Sequence, residues 1–251
     1  MHNKYLQFLR IQKHIPNIFT ISNLTCGLLS ILFAFQSDLT TASFFILSGL
    51  FFDFFDGLLA RLLKVSGELG KQLDSLADLI TFGVAPSIIV LQLIINAQSN
   101  LFFNQINLME YPLCFVSFLI PIFSALRLAK FNIDKNQSSN FIGLATPANA
   151  LFFISIPLII EFHPNSTFLE VIKSLEFLIL ATILFSFLLV SKINLFSFKL
   201  KNTSWKDNKS QYSFIAISII LLLAFRFVAM PFILLLYIVI SLLNKTNEIQ
   251  S

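Results

Sequence analysis

Four aspartates at helical spacing stand close together in an otherwise apolar part of the chain: Asp53, Asp56, Asp74 and Asp78. The first two are three positions apart and the last two are four apart, so each pair shares one face of a helix. Hard divalent cations such as Mg²⁺ and Mn²⁺ prefer oxygen ligands, and Mg²⁺ commonly joins carboxylates to substrate phosphates. The spacing predicts two helices that turn their acids toward a common divalent-cation site, which is suited to pyrophosphate chemistry.

Three glycines lie between or beside the two acid pairs: Gly57, Gly67 and Gly70. Glycine adopts backbone conformations that other residues avoid. We therefore expect these glycines to relax the turn between the two helices.

Two other interpretations of the acids remain open. The acids could lie in a solvated loop, where they would balance Arg61, Lys64 and Lys71. They could also form an ion-transport site, because acids inside a membrane often mark ion pathways. A divalent-cation transporter would be expected to carry acids at mid-membrane depth on several spans, whereas these lie near one end of two.

The composition places these acids in a membrane protein. Of the 251 residues, 56% are hydrophobic and 12% are charged, and the mean hydropathy is +0.82. A soluble domain usually carries about 25% charged residues. Cys26 and Cys114 lie in apolar runs, without the spacing of a disulfide framework or a metal site. The composition predicts one integral membrane domain over residues 1–251, with no soluble domain and no nucleic-acid partner.

A transmembrane helix needs about 20 mostly apolar residues. The chain contains eight candidates, and the first is too long for the apolar core of a signal peptide. The sequence thus predicts an all-α, polytopic bundle, with a catalytic core over residues 15–162 and a C-terminal helix pair over residues 212–243. Pro231 is expected to interrupt the last span, and Pro147 to bend the fifth. The eight candidates are Ile15–Phe35, Thr40–Leu63, Leu73–Asn96, Tyr111–Phe131, Leu144–Phe162, Phe168–Val190, Tyr212–Phe225 and Phe227–Leu243.

The basic residues indicate the orientation of these spans. With eight spans and both termini in the cytoplasm, all but two of the 17 Lys and Arg residues fall in cytoplasmic segments. The exceptions are Lys173 and Arg226. Cytoplasmic loops carry an excess of Lys and Arg, so the pattern predicts that both termini and the acidic cluster face the cytoplasm. Residues 192–211 form a predicted basic cytoplasmic loop, which suits contact with anionic lipids.

The acidic segment resembles the signature of a known family. The pattern Asp53-x2-Asp56-Gly57-x2-Ala60-Arg61-x8-Gly70-x3-Asp74-x3-Asp78 resembles that of the CDP-alcohol phosphatidyltransferases. Pro16-Asn17 and Thr20-x2-Asn23 look like the N-terminal segment of this family, and three later stretches look like the branch that uses serine. Together they extend the resemblance over residues 16–147. Thr81, Lys130 and Ala145-Thr146-Pro147 depart from that branch. The three later stretches are Asp78–Pro86, Arg127–Asn132 and Gly143–Pro147.

The resemblance implies roles for the four acids. Asp53, Asp56 and Asp74 would bind two divalent cations, either Mg²⁺ or Mn²⁺. Asp78 would join the second cation and act as general base for the incoming hydroxyl.

The resemblance also implies contacts with the donor substrate. Gly57 and Ala60 would let the nucleotide approach the helix, because larger side chains would block it. Arg61 would contact the substrate phosphates, and its fork of donors suits that role. Thr20 and Asn23 would contact the cytidine or the phosphates.

Arg127 and Lys130 are candidates for the acceptor site. They are expected at the cytoplasmic end of the fourth span, near the depth of the aspartates, where they could bind a carboxylate or the lipid phosphate. Asn132 could assist them. The alternative is that both cations only anchor the span at the lipid headgroups.

The activity implied by the resemblance is transfer of a phosphatidyl group from CDP-diacylglycerol to L-serine, with release of CMP. Glycerol phosphate and inositol phosphate remain alternative acceptors. A phosphorylated acceptor would need extra cationic residues near Asp78, and the sequence offers few. The resemblance also implies a homodimer among membrane lipids. The heavy use of Phe, Ile, Asn and Lys is typical of an AT-rich bacterial genome, so we expect a bacterial inner membrane.

Overall fold

A computed structural model describes residues 15–63, 65, 67–99, 107–133, 141–195 and 209–249. The basic N-terminal segment and most of the predicted basic loop at 192–211 lie outside the described residues.

The described chain is a bundle of ten α-helices, with one π turn, three short 3₁₀ segments and one pair of two-residue strands. The predicted all-α, polytopic fold is confirmed. In chain order the elements are α1 (Ile15–Phe35), α2 (Leu39–Leu62), α3 (Glu68–Asp78), the π turn (Leu79–Val84), α4 (Ala85–Ser99), 3₁₀ segments Leu108–Glu110 and Pro112–Phe118, α5 (Leu119–Ile133), β1 (Phe141–Ile142), α6 (Thr146–Phe162), α7 (Leu169–Lys173), α8 (Leu175–Val190), β2 (Asn194–Leu195), α9 (Lys209–Phe225), 3₁₀ segment Arg226–Val228 and α10 (Ala229–Ile249).

Length and composition make the chain an integral membrane protein. Among the described residues, five helical stretches are long and apolar enough to cross a bilayer, and the apolar helices α6 and α8 are shorter. The five are Ile15–Phe35, Leu39–Leu62, Glu68–Ser99, Pro112–Ile133 and Tyr212–Leu242.

The last of these stretches folds back on itself as a helical hairpin. Arg226 has a positive φ of 48° in the 3₁₀ segment between α9 and α10. The ring of Phe214 on α9 packs against that of Tyr237 on α10, with centroids 5.8 Å apart. These two residues lie at similar distances from Arg226 along the chain, so the helices run antiparallel, as the predicted C-terminal pair requires.

Proline and glycine positions correct three expectations. Pro231 lies in the first turn of α10, where a missing N–H breaks no helical hydrogen bond, so it does not interrupt the span. Pro147 likewise lies in the first turn of α6 and does not bend that helix. Gly57 and Gly70 lie inside α2 and α3 rather than in the turn, and Gly67 alone caps a helix. The turn needs less glycine because α3 begins at Glu68, five residues before the expected start of the third span.

The stretch from Glu68 to Ser99 is the centre of the bundle. Of its apolar window 72% is buried, against 17–33% for the other four stretches. Ile89, Ile94 and Ile95 on α4 are fully buried in the main hydrophobic core. The acids of α3 therefore lie shortly before the most deeply buried helix of this stretch, α4.

Helix α3 is amphipathic. Leu69 and Leu76 are 72% and 60% exposed on one face, which would meet lipid in a membrane. Asp74 and Asp78 lie on a different face, because they are displaced by about 140–180° from the leucines at 100° per residue.

The π turn is wedged between α1 and α2. A Cβ added to Gly27 would lie 2.5 Å from Thr81 Oγ1, and one added to Gly49 would lie 2.5 Å from Thr81 Cγ2. Thr81 Oγ1 donates to the Asn23 carbonyl at 2.9 Å. The two glycines thus let the Thr81 side chain pack between the helices, directly after Asp78.

Aromatic residues close the end of the bundle opposite the acids. Phe44, near the start of α2, packs against Phe162 at the end of α6 and Phe227 beside Arg226, with centroids 6.2 and 6.1 Å apart. Lys173 lines a cavity of about 560 Å³ with Asp38 and Glu161, also at this end. Lys173 and Arg226, the two basic residues outside the predicted cytoplasmic set, therefore both lie away from the acids.

Candidate active site

The two helices expected to carry the acids do turn them toward each other. One carboxylate oxygen from each of Asp53, Asp56 and Asp74 lies within 4.8 Å of the other two. The Asp78 carboxyl lies within hydrogen-bonding reach of Asp53. Four carboxyl groups from α2 and α3 thus form one cluster. In a transport pathway the acids would instead be expected on several spans.

This donor set fits a divalent cation. It offers hard carboxylate oxygens only, which Mg²⁺ and Mn²⁺ prefer. Asp56 is buried and the other three acids are partly buried, so water screens their mutual repulsion poorly. Bound cations would remove that repulsion, and one oxygen from each of three acids already lies within a single coordination shell's reach.

Two polar residues of α1 hold the acids in place. Thr20 Oγ1 donates to Asp56 Oδ2 at 2.8 Å, and Thr20 is buried. One turn further along, Asn23 Nδ2 donates to Asp78 Oδ1 at 3.3 Å, and Asn23 is fully buried. Both residues were expected to contact the nucleotide or phosphates; the structure places each against a carboxylate, and only Thr20 also lines the adjacent cavity.

A cavity of about 420 Å³ opens beside Asp56 and Asp74. It lies among α1, α2, α3 and the loop that joins the last two. Its volume and position suit a nucleotide next to the carboxylates. The cavity is lined by Pro16, Asn17, Thr20, Asp56, Gly57, Ala60, Val65, Gly67, Leu69, Gly70, Lys71 and Asp74.

Small residues keep this cavity open. A Cβ added to Gly57 would meet nothing within 4 Å, so a side chain there would project into free space rather than into the protein. At Gly70 the nearest atom to an added Cβ would be Asn17 Oδ1 at 3.4 Å. The structure thus places Gly57 and Ala60 along the cavity, where the resemblance expects the nucleotide.

Arg61 follows these residues at the end of α2. Its side chain is exposed, and its Nε donates to the Gly57 carbonyl at 2.9 Å. Arg61 does not line the cavity itself. The hydrogen bond turns the Arg61 side chain back toward Gly57, which lines the cavity.

The two acceptor candidates on α5 differ in their surroundings. Arg127 is buried, 9% exposed, and lies close enough to Asp78 to interact with it electrostatically. Lys130 is exposed on the last turn of α5. The structure therefore brings Arg127 to the acidic cluster and places Lys130 toward the outside.

Asn132 forms a contact between α5 and α3. Its Nδ2 donates to Ser75 Oγ at 2.8 Å, and its carbonyl accepts a 2.8 Å hydrogen bond from Lys71 Nζ. Lys71, a cavity residue, was not among the candidates from sequence. Its position three residues before Asp74, on the same helical face, is the signal that could have identified it.

The loop before α6 is tied to the end of α8. β1 and β2 pair antiparallel, and Gly143 N donates to the Ile193 carbonyl at 2.9 Å. Gly143 has a φ of 78°, and a Cβ there would collide with the Leu189 carbonyl. This contact holds the first turn of α6 at the same end of the bundle as the C-terminal end of α5.

Comparison with known proteins agrees with this geometry. The family model for CDP-alcohol phosphatidyltransferase matches residues 13–188, which include all four acids. The chain is similar to the CDP-diacylglycerol–serine O-phosphatidyltransferase of Bacillus subtilis, with 34% identity over 186 residues that cover 74% of this chain and 92% of that protein.

Two further relatives match a shorter part. The Helicobacter pylori protein of the same name is 38% identical over 141 residues, 55% of each chain. An archaetidylserine synthase from Methanothermobacter thermautotrophicus is 34% identical over 140 residues, 55% of this chain and 54% of the relative. The chain spans about half the length of these two relatives and nearly all of the Bacillus protein. With its acids, its cavity and the family match in agreement, the chain belongs to the CDP-alcohol phosphatidyltransferase family.

Proposed function

We propose that this protein transfers the phosphatidyl group of CDP-diacylglycerol to L-serine, forming phosphatidylserine and releasing CMP. The observation that carries the proposal is the four-carboxylate cluster beside a cavity lined by small residues of α2. The serine-using names of the relatives support the choice of acceptor.

The cavity beside Asp56 and Asp74 would hold the cytidine diphosphate part of the donor. Gly57 and Ala60 leave room for it along α2, and Lys71 and Arg61 stand beside it as cations for its phosphates. The acyl chains would remain in the bilayer, next to the exposed leucines of α3.

The four aspartates would hold divalent cations, which supply charge neutralisation for the pyrophosphate when bound. Thr20 and Asn23 fix the carboxylates of Asp56 and Asp78 from α1. Oriented ligands of this kind lower the reorganisation needed during the reaction.

In the reaction, the serine hydroxyl oxygen bonds to the phosphorus that carries the diacylglycerol. The bond from that phosphorus to the CMP oxygen breaks, and its electron pair leaves with CMP. Asp78 positions the hydroxyl and accepts its proton as the new bond forms, because a free hydroxyl is too weak an acid to lose its proton earlier.

We further propose that the site faces the cytoplasm of a bacterial cell, at the inner membrane. The separation of Lys173 and Arg226 from the acid-bearing end supports this orientation. Homodimer assembly stays a prediction.

The direct test is CMP release from CDP-diacylglycerol by membranes that contain the protein, supplied with Mg²⁺ or Mn²⁺ and one acceptor at a time. We expect release with L-serine and labelled serine in the lipid product. Asp78→Asn should lower the rate by about 10²–10⁴-fold, the range for removal of a general base.

Glu68→Gln is a matched control, since Glu68 is an exposed acid on the same helix outside the cluster. It should keep the parental rate. Release with glycerol 3-phosphate or inositol phosphate but not with serine would replace the proposed acceptor. No release with any acceptor would contradict the transferase assignment.

A further inference from the structure

A group of buried polar side chains lies on α5 and α6 without hydrogen-bond partners. Ser124 Oγ and Arg127 Nε on α5, and Thr146 Oγ1 on α6, make none within the described chain. At Asn149 on α6 both amide atoms, Oδ1 and Nδ2, lack a partner. Ser124, Thr146 and Asn149 are 0% exposed. A buried polar group without a partner carries its full desolvation cost, so native proteins usually supply one.

Asn149 is the most informative member. A buried serine or threonine on a helix can bond a backbone carbonyl one turn earlier, as Thr182 and Ser43 do here. The Asn149 side chain, in the first turn of α6, makes no such local bond with either of its atoms within the described chain. Its donor and acceptor together point to a ligand that offers both kinds of group.

These side chains belong to helices that pack on the same feature. Both α5 and α6 contact the π turn that follows Asp78. A Cβ added to Gly83 in that turn would lie 3.2 Å from Ser124 Cβ. Thr146 and Asn149, three positions apart, share the interior face of α6.

The residues of this group do not line the nucleotide cavity. That cavity is lined by α1, α2, α3 and the α2–α3 loop, and by no residue of α5 or α6. Arg127, in contrast, interacts with Asp78 and with Tyr237 of α10. In phosphoryl-type displacement the attacking and leaving oxygens are roughly in line, so an acceptor must enter from the side away from CMP.

We propose that Asn149, together with Thr146 and Arg127, forms the subsite for the acceptor, and that Asn149 selects a small zwitterionic amino acid. Arg127 supplies donors for a carboxylate, and the Asn149 amide pairs with both the carboxylate and the ammonium group. Of the cations on the described part of α5 and α6, Arg127 alone is buried, because Lys130 is exposed. One buried cation suits a zwitterion better than the dianion of a phosphorylated alcohol.

This inference rests on the proposed function, and its test is Asn149→Leu in the full-length protein. Leucine has nearly the same shape without polar atoms. If Asn149 binds serine, the KM for L-serine rises tenfold or more, while the KM for CDP-diacylglycerol and the midpoint of thermal unfolding in detergent stay at parental values. Thr146→Val should also raise the KM for serine. Thr146→Ser, which keeps the hydroxyl, should have the parental KM for serine.

Ser30→Ala is the matched control, because Ser30 Oγ is also buried without a partner within the described residues. Ser30 lies in the second half of α1, beyond the residues of that helix that line the cavity. It should leave both KM values unchanged. An unchanged KM for serine in Asn149→Leu, or an equal rise for both substrates, would overturn the subsite. If Asn149→Leu does not accumulate in membranes, Thr146→Val decides by the same criterion.

The parental protein separates this inference from the proposed function. Serine-dependent CMP release by the parent, with no change in Asn149→Leu, refutes the subsite alone. No serine-dependent release by the parent refutes the function, and with it the assignment of Asn149 to a zwitterion.

Discussion

At the scale of single residues, the site depends on side chains that are absent as much as on those present. The carboxylates of Asp56 and Asp74 reach the cavity only because Gly57, Ala60 and Gly70 leave space in front of them. The same acids would repel one another in a packed, dry interior. The open space is therefore part of the binding site.

Gly57→Ala tests that space. The added Cβ meets no protein atom within 4 Å, so we expect the thermal unfolding midpoint in detergent to stay the same or rise, since alanine favours helix. The methyl group would occupy room needed by the nucleotide, and the KM for CDP-diacylglycerol should rise by about tenfold, a cost of roughly 1.4 kcal/mol.

The KM for serine should be unaffected by Gly57→Ala, because the acceptor enters from the α5 and α6 side. Ser48→Ala, at an exposed position of α2 that does not line the cavity, serves as the comparison. A parental KM for CDP-diacylglycerol in Gly57→Ala would show that the nucleotide does not lie along this part of α2.

At the scale of elements, the π turn fixes the position of Asp78 relative to α1 and α2. Thr81 packs between Gly27 and Gly49 and bonds the Asn23 carbonyl, while the Asn23 amide holds Asp78. The side chains of Thr81 and Asn23 thus link three helices next to the Asp78 carboxyl. A displacement of Thr81 should therefore shift the Asp78 carboxyl through Asn23, although Asp78 itself is unchanged.

Gly49→Ala tests this wedge, because its Cβ would lie 2.5 Å from Thr81 Cγ2. We expect a loss of about 1–3 kcal/mol in the free energy of unfolding, typical of an overpacked core. Thr81→Ser removes Cγ2 and keeps the hydroxyl, so the double variant should recover most of the stability, measured by thermal unfolding in detergent.

Gly27→Ala is the counterpart that Thr81→Ser should not rescue. Its Cβ would meet the Thr81 backbone, with Cα at 2.9 Å and N at 3.0 Å. Equal recovery of both glycine variants by Thr81→Ser would mean that the loss does not arise from these contacts.

The sequence predicted the elements well and their irregularities poorly. Long apolar runs set the spans, because a bilayer imposes their length, and the acid pairs could be placed because helical spacing alone puts them on one face. The π turn arises from a tertiary contact, the packing of Thr81 between Gly27 and Gly49. It therefore has no signature in the local sequence. Thr146 lies in one of the stretches that carry the resemblance, but the sequence gives neither Thr146 nor Asn149 a role. Their significance lies in burial without partners within the described chain, which only the packed structure shows.

At the scale of the whole molecule, the two ends of the bundle differ in chemistry. One end carries the acidic cluster and the cavity beside it. The other is closed by Phe44, Phe162 and Phe227, with Lys173 nearby. The positive-inside pattern predicts that the first end faces the cytoplasm.

Cysteine labelling checks that assignment. Both native cysteines are buried, so a single introduced cysteine can be followed. Lys173 and Lys192 are exposed lysines at opposite ends of the bundle. In intact spheroplasts a membrane-impermeant maleimide should label Lys173→Cys and not Lys192→Cys.

After permeabilisation both variants should react, which shows that the second thiol is accessible. The parental protein, labelled in parallel, gives the background from Cys26 and Cys114. Labelling of Lys192→Cys before permeabilisation, with Lys173→Cys protected, would reverse the orientation.

The exposed leucines of α3 have a consequence for how the donor arrives. Leu69 and Leu76 face outward on the helix whose other side bears Asp74 and Asp78. Under the proposed function, a lipid drifting within its leaflet meets the reactive carboxylates at the level of its own headgroup and need not be lifted into water. The encounter is then a two-dimensional search, governed by the mole fraction of donor in the leaflet rather than by its bulk concentration.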